Sequence, residues 1–261
     1  MVDKQPKKNK YDISSVVRVF KILEHISSKN HQRGASLSEI AEHIGASVST
    51  AHRYLQTIER LGHVTKNDRG NYHLGPGILG LAGRYLEQIN LPQLALPFMQ
   101  DLAKEMQETV HLAVPSGDEV TYIAKAIGPK SISMAAQIGS RMPMYSTSLG
   151  KAMMAYFTQE RIEAVLSSSL EKRTQNTITS PETLRKDLEK TRERGYAIDD
   201  VENEEGVRCI GAPIFNYQKE LLGAISVSGP VDRVTMDFIK ENHVLLTDAA
   251  LKISRRMGYP E

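Results

Sequence analysis

Residues 38–61 read SEIAEHIGASVSTAHRYLQTIERL, and this stretch decides the N-terminal fold. With Leu37 just before it, Ile40, Ala41 and Ile44 give the first half an apolar face at helical spacing. Gly45 can take the left-handed conformation that ends a helix, and Ser47 or Ser49 can cap the next one. In the second half Val48, Ala51, Leu55, Ile58 and Leu61 are expected to point inward, which leaves Ser49, Thr50, Arg53, Gln56 and Arg60 on the outer face. Short polar side chains around one long cation at a helix start suit base edges and phosphates in the major groove of double-stranded DNA.

The flanks extend this pattern. Val16, Val17, Phe20, Ile22, Leu23 and Ile26 give a wide apolar face to a helix over about Ser14–Ser27, and residues 28–35 form a loop. Val64–Leu74 reads as two short strands around Lys66-Asn67-Asp68-Arg69-Gly70, a tip whose Lys66 and Arg69 suit phosphates. Three helices and a hairpin make a winged helix-turn-helix over 13–75. Residues 1–12, polar and lysine-rich, are expected to be a disordered basic tail.

After the hairpin, Ile78, Leu81, Ala82, Tyr85, Leu86 and Ile89 recur at three- and four-residue spacing. They predict a linker helix over 76–91 with a second apolar flank for a partner subunit. Pro92 and Pro97 frame the boundary with a second domain over 92–261. There a helix bearing Leu94, Phe98, Leu102 and Met106 leads into the alternating strand Val110–Val114, and Ser116-Gly117-Asp118 turns the chain back into Val120–Ala126. Ser131–Ile138, Gly206–Phe215 and Leu221–Val227 are further strand candidates. Ser148–Phe157, Gln159–Leu166, Pro181–Gly195 and about Asp232–Met257 are predicted helices. Antiparallel strands with helices at both ends and in the middle describe an α+β domain rather than a doubly wound sheet.

Charge is divided between the two parts. Residues 1–75 hold seven Lys and five Arg against three Asp and four Glu, a net +5, which leaves −3 for the rest of a chain whose total is +2. A basic head on a mildly acidic body is the layout expected of a polyanion binder joined to a sensor. No apolar run is long enough to cross a membrane, and no apolar segment after KQPKKNK makes a signal peptide. One cysteine excludes an internal disulfide framework and fits a reducing cytoplasm.

SSVVRVFKILEHI, LSEIAEHIGASVSTAHRYLQTIERLGHV and YHLGPGILGLAG in the first part resemble the IclR family of bacterial transcriptional regulators. TVHLAV, IGSRMPMYSTSLGKAMMA, RGYAIDDVENEEGVRCIGAPIF and GAISVSGP in the second part continue the resemblance in the same order. ITSPETL and EEGVRCIGAPIF are closest to the branch that responds to 2-keto-3-deoxygluconate. The resemblance implies a GAF-like effector domain that binds a small carboxylic acid, lined by Met142, Ser148, Leu149, Asp199, Val207, Cys209, Ser226 and Ser228. It implies a homodimer through the N-terminal domain and tetramers through the effector domains. Glycine and alanine are common in the family where this chain has Ser148 and Leu149, which points to a difference in ligand specificity.

The residues themselves supply a physical case for that lining. Ser148-Leu149-Gly150 begins a helix, where unbonded N–H groups favour a carboxylate. Ser226 and Ser228, two apart on a strand, face one side. Asp199 can accept from ligand hydroxyls, while Met142 and Val207 give an apolar wall. Two other functions compete with a regulator, a cysteine-dependent hydrolase using Cys209 with His111 as base, and a metal-responsive regulator. Cys209 and His111 also suit a plain core, no His/Cys/Asp cluster has ligand spacing, and Tyr145 stands where a phosphate loop ending in Gly150-Lys151 needs glycine. Neither a catalytic residue, a metal nor a cofactor is expected.

Overall fold

The computed structural model describes residues 11–29, 33–88, 90–130 and 137–260. The predicted tail (all but Tyr11 and Asp12), most of the Ser131–Ile138 strand candidate and Ile89 lie outside the described residues. The chain divides into two compact units, residues 1–89 and 90–261.

The first unit runs α1 (Ser14–Ser27), α2 (Leu37–His43), α3 (Val48–Arg60), β1 (Val64–Lys66), β2 (Tyr72–Leu74) and α4 (Pro76–Gln88). Ser36 Oγ accepts the Glu39 N–H, and Glu39 Oε2 accepts the Ser36 N–H at 2.8 Å, a reciprocal cap that starts α2. Gly45, at φ +59°, ends it, and Ser47 Oγ accepts the Thr50 N–H to start α3. β1 and β2 pair antiparallel, and Ala35 bridges to Tyr72. Ile22, Ile26, Ile40, Ala51, Leu55, Ile58, Val64 and Tyr72 close one core.

Two inward assignments are corrected. Val48 and Leu61 are 53% and 59% exposed. Val48 is the first residue of α3, so its Cβ tilts over the preceding turn rather than into the core, and Leu61 lies just beyond the last turn. On α1 the apolar face divides, with Ile22 and Ile26 buried and Val16, Val17 and Phe20 exposed.

The second unit runs α5 (Leu91–Met106), β3 (Thr109–Ser116), β4 (Glu119–Ala126), β5 (Arg141–Pro143), α6 (Ser148–Met154), α7 (Gln159–Leu166), α8 (Pro181–Arg194), β6 (Ala197–Asp200), β7 (Val207–Phe215), β8 (Leu221–Pro230) and α9 (Met236–Arg256). The six strands form one antiparallel sheet in the order β5-β4-β3-β8-β7-β6. Pro92 occupies the first turn of α5 and Pro97 lies within that helix, so Pro97 marks no boundary. The last helix begins at Met236, later than its apolar spacing implied, because Thr235 caps it while Arg233 turns away to pair with buried Glu108 at 2.5 Å.

Strand alternation gives the sheet two different faces. Val110, Leu112, Ile210, Ala212, Ile225 and Val227 pack with α5 and α9 in one apolar core. Antiparallel register carries the opposite face across the sheet in two rows, Lys125–His111–Ser226–Gly211 and Thr109–Ser228–Cys209–Asp199. The short helix α6 covers that face, all seven of its residues buried. Gly211 is what lets it lie so close, since a Cβ there would stand 2.6 Å from the Ser148 carbonyl oxygen.

Candidate functional site

The outer face of α3 presents Ser49, Arg53, Gln56 and Arg60 to solvent, with Thr50 half-buried. Around the cap, Ser47 Oγ donates to Thr50 Oγ1 at 2.9 Å and lies 3.0 Å from Ser49 Oγ, so the short hydroxyls are pre-ordered and Arg53 is left as the long donor. Thr50, Arg53, Tyr54 and Thr57 line a shallow depression beside it. The wing is equally fixed, because Asn67 Oδ1 accepts the N–H groups of Arg69 and Asn71 at 3.1 and 2.9 Å. Lys66 and Arg69 are exposed at its tip, the Lys66 ammonium 5.4 Å from the centre of the Tyr72 ring. A helix of short donors with a cationic wing next to it is matched to a grooved polyanion.

In the second unit a small, largely closed cavity lies between the polar rows of the sheet and the start of α6. All eight residues singled out in the sequence (Met142, Ser148, Leu149, Asp199, Val207, Cys209, Ser226 and Ser228) line it. They come from β5, α6, β6, β7 and β8, so only the folded sheet brings them together. Five further residues complete the lining, namely His111, Tyr122, Thr147, Asn203 and Glu204. The sequence presents His111 only as a core residue or a base. Thr147 is readable there as the residue that caps a helix at Ser148, whereas Tyr122 reaches this face through the register shift between β3 and β4 at Leu112/Ala113, which strict alternation with Ala124 and Ala126 does not give. Asn203 and Glu204 sit in a turn whose fold carries no periodic signal.

Local hydrogen bonds revise one detail of the expected anion site. Thr147 Oγ1 accepts the Gly150 N–H at 3.1 Å, so the first turn of α6 offers a ligand the N–H groups of Ser148 and Leu149 but not that of Gly150. The turn after β6 is tightly bound. Asp199 Oδ1 accepts the N–H groups of Glu202 and Asn203 at 2.7 and 3.3 Å, and Ser146 Oγ donates to Asn203 Oδ1 at 3.0 Å.

Burial dominates the electrostatics. It pushes the Asp199 carboxyl up to about 7, against the pull of the backbone N–H groups and Lys151. It raises the Cys209 thiol well above its ordinary value, helped by the charge of Asp199, and pushes the His111 imidazole down to about 3. A thiol that burial keeps protonated, and an imidazole that burial makes a weak base, do not suit a nucleophile and its base, although both line the same cavity. Among the described residues no group of three or more His, Cys, Asp or Glu is placed to hold a metal. No helix there is long and apolar enough to cross a membrane.

Comparison with known proteins covers both parts of the chain. The family model for the IclR helix-turn-helix domain matches residues 15–68, and that for the bacterial transcriptional regulator IclR C-terminal domain matches residues 83–255. The chain is similar to the HTH-type transcriptional regulator KdgR of Escherichia coli strain K12, 35% identical over 99% of this chain and 96% of that one. Its fold is similar to that of the Agrobacterium tumefaciens repressor BlcR, with a TM-score of 0.81 at 25% identity over 95% of this chain and 99% of that one. An IclR homolog from Microbacterium hydrocarbonoxydans, complexed with 4-hydroxybenzoate, gives a TM-score of 0.59 at 26% identity over 93% of this chain and 98% of that one.

Proposed function

Because the chain belongs to the IclR family of bacterial transcriptional regulators, a family of DNA-binding, effector-responsive proteins rather than enzymes, we propose that it is a repressor of sugar-acid catabolism. Free, it holds its operator; a small carboxylic acid in the cavity, with 2-keto-3-deoxygluconate the best candidate, releases it. The observation that carries this reading is the convergence of Ser148, Asp199, Ser226 and Ser228 on one cavity with an apolar wall at Met142 and Val207. The complex of a homolog with 4-hydroxybenzoate, itself a carboxylic acid, supports the ligand class, and the similarity to a repressor supports the sign of regulation.

In this reading the carboxylate sits on the N–H groups of Ser148 and Leu149, while Asp199, Ser226 and Ser228 take the hydroxyls. On the DNA side, Ser49, Thr50, Arg53 and Gln56 of α3 face bases in the major groove, and Lys66 and Arg69 face phosphates. A single recognition helix makes too few contacts for a useful specificity ratio, so the protein works as a dimer on paired half-sites. The exposed apolar residues Val16, Val17 and Phe20 of α1 and Leu79, Leu81 and Tyr85 of α4 are the pairing surface, and effector domains join dimers into tetramers. A regulator of this kind meets its DNA in the cytoplasm, with which one buried free cysteine is compatible.

Calorimetric titration of 2-keto-3-deoxygluconate into the full-length protein tests the site. Ser226→Ala and Asp199→Ala are each expected to weaken binding by about 1–3 kcal/mol, since each leaves a buried ligand hydroxyl short of a partner. Wild-type affinity in both variants contradicts this placement of the ligand.

A further inference from the structure

His111 stands in the middle of β3, opposite Ser226 on β8 and Lys125 on β4, and its side chain lines the cavity. The residue is 2% exposed. The Tyr122 ring meets the imidazole edge-on, with centroids 5.3 Å apart at 78°. Among the described residues neither ring nitrogen has a hydrogen-bond partner. Whatever its tautomer, a neutral imidazole carries one N–H donor and one lone pair, so both capacities are left unused here. An unsatisfied buried polar group costs stability, and an aromatic ring without nitrogens would fill the same space at no such cost. A histidine kept under those conditions has work to do toward something that enters the cavity.

We propose that His111 is a specificity-determining residue of the effector site, which hydrogen-bonds a hydroxyl of the bound acid and so selects hydroxylated acids over alkyl acids of the same length. The inference rests on the reading that this cavity takes a small carboxylic acid. A hydroxyl is the matching group, since it both donates and accepts, and the Ser226 hydroxyl lies on the neighbouring strand to share it. Burial holds the imidazole uncharged, so it acts through hydrogen bonds rather than as a counter-charge to the carboxylate. A site built to hydrogen-bond a hydroxyl rejects the analogue that lacks it, because the buried partner is then left unpaired.

The test compares full-length wild type with His111→Phe and His111→Gln, first by melting without ligand and then by calorimetry with two probes. These are 2-keto-3-deoxygluconate and 2-oxohexanoate, the same carbon chain without the hydroxyls. His111→Phe is expected to melt at or above the wild-type temperature, because it removes two unsatisfied nitrogens. Its affinity for 2-keto-3-deoxygluconate falls by about tenfold or more while that for 2-oxohexanoate is unchanged or higher, and His111→Gln recovers part of the loss. Melting of His111→Phe more than about 4 °C below wild type makes the histidine structural and overturns the proposal. Equal weakening of both acids, or no change in either, overturns it as well. Should wild type bind neither acid, the effector class proposed above falls, and the melting comparison still decides whether His111 is kept at the expense of stability.

Discussion

Asp199 Oδ1 accepts the backbone N–H of Glu202 at 2.7 Å, so the carboxyl that faces the cavity also shapes the turn beside it. Glu202 in turn holds the ammonium of Lys151 at 2.5 Å, and Asp187 on α8 lies 2.8 Å from the same ammonium. Thr174 and Thr177 close the turn from outside, their hydroxyls donating to the carbonyls of Val201 and Glu202 at 2.6 and 2.7 Å. Val201 sits at φ +60°, a conformation costly for a β-branched residue and sustained by those clamps. The cavity wall, the start of α6 and α8 are thereby tied into one network of buried polar groups.

Lys151 is 1% exposed, and its removal leaves the buried Glu202 carboxylate and the partly exposed Asp187 carboxylate without their cation. Lys151→Met is expected to cost about 3–5 kcal/mol in urea unfolding, and the triple variant with Glu202→Gln and Asp187→Asn to recover much of that. A cost below about 1 kcal/mol would show that the charges are solvated.

Stability is also expected to depend on pH through Asp199. Its folded carboxyl titrates at about 7, whereas the ordinary value is 3.8. Between those limits the folded state holds a proton that the unfolded state has released, so stability falls as pH rises through that window and stays low above it. Asp199→Asn, neutral throughout, should therefore gain on wild type by on the order of 2–3 kcal/mol more at pH 8 than at pH 5. An identical difference at both pH values, by urea unfolding, contradicts the assignment.

On the DNA side, Arg53→Ala is expected to cost about 1–3 kcal/mol of preference for operator over random duplex. Lys66→Ala and Arg69→Ala should instead weaken binding to every sequence alike, each with a salt slope smaller by about one. Equal loss of specific and non-specific affinity in Arg53→Ala would remove α3 from base readout.

Assembly has its own test in Phe20, 60% exposed on α1 next to Val16 and Val17. Phe20→Asp should leave the helical circular dichroism unchanged but shift the mass by light scattering from dimer or tetramer toward smaller species. Wild type that is a monomer at micromolar concentration contradicts the assembly outright.

Local rules make much of this fold legible. Periodicity and caps define α2 and α3, since Gly45 and Ser47 each act on backbone groups within a few residues, and the turn residues Asn67-Asp68-Arg69-Gly70 mark the wing. The two-residue spacing of Ser226 and Ser228 is enough to put both on one face of a strand, and the family resemblance supplies the rest of the eight cavity residues. What escapes is non-local. β5 and β6 are three and four residues long, too short for alternation to register, and exist as strands through their pairing with β4 and β7. Pro97 reads as punctuation because local propensity opposes a helix, and packing of Ala95, Met99 and Leu102 against the sheet overrides it. The part of His111 in the cavity depends on its neighbours across two strands.

The most direct test of the account is fluorescence anisotropy of the full-length protein on a labelled duplex selected by that protein from a random pool, with and without saturating 2-keto-3-deoxygluconate. The account predicts tight binding by free protein, weakened by about tenfold or more with the acid present, and little response to the acid in Ser226→Ala at the same concentration. Acid that binds by calorimetry yet leaves operator affinity unchanged contradicts it.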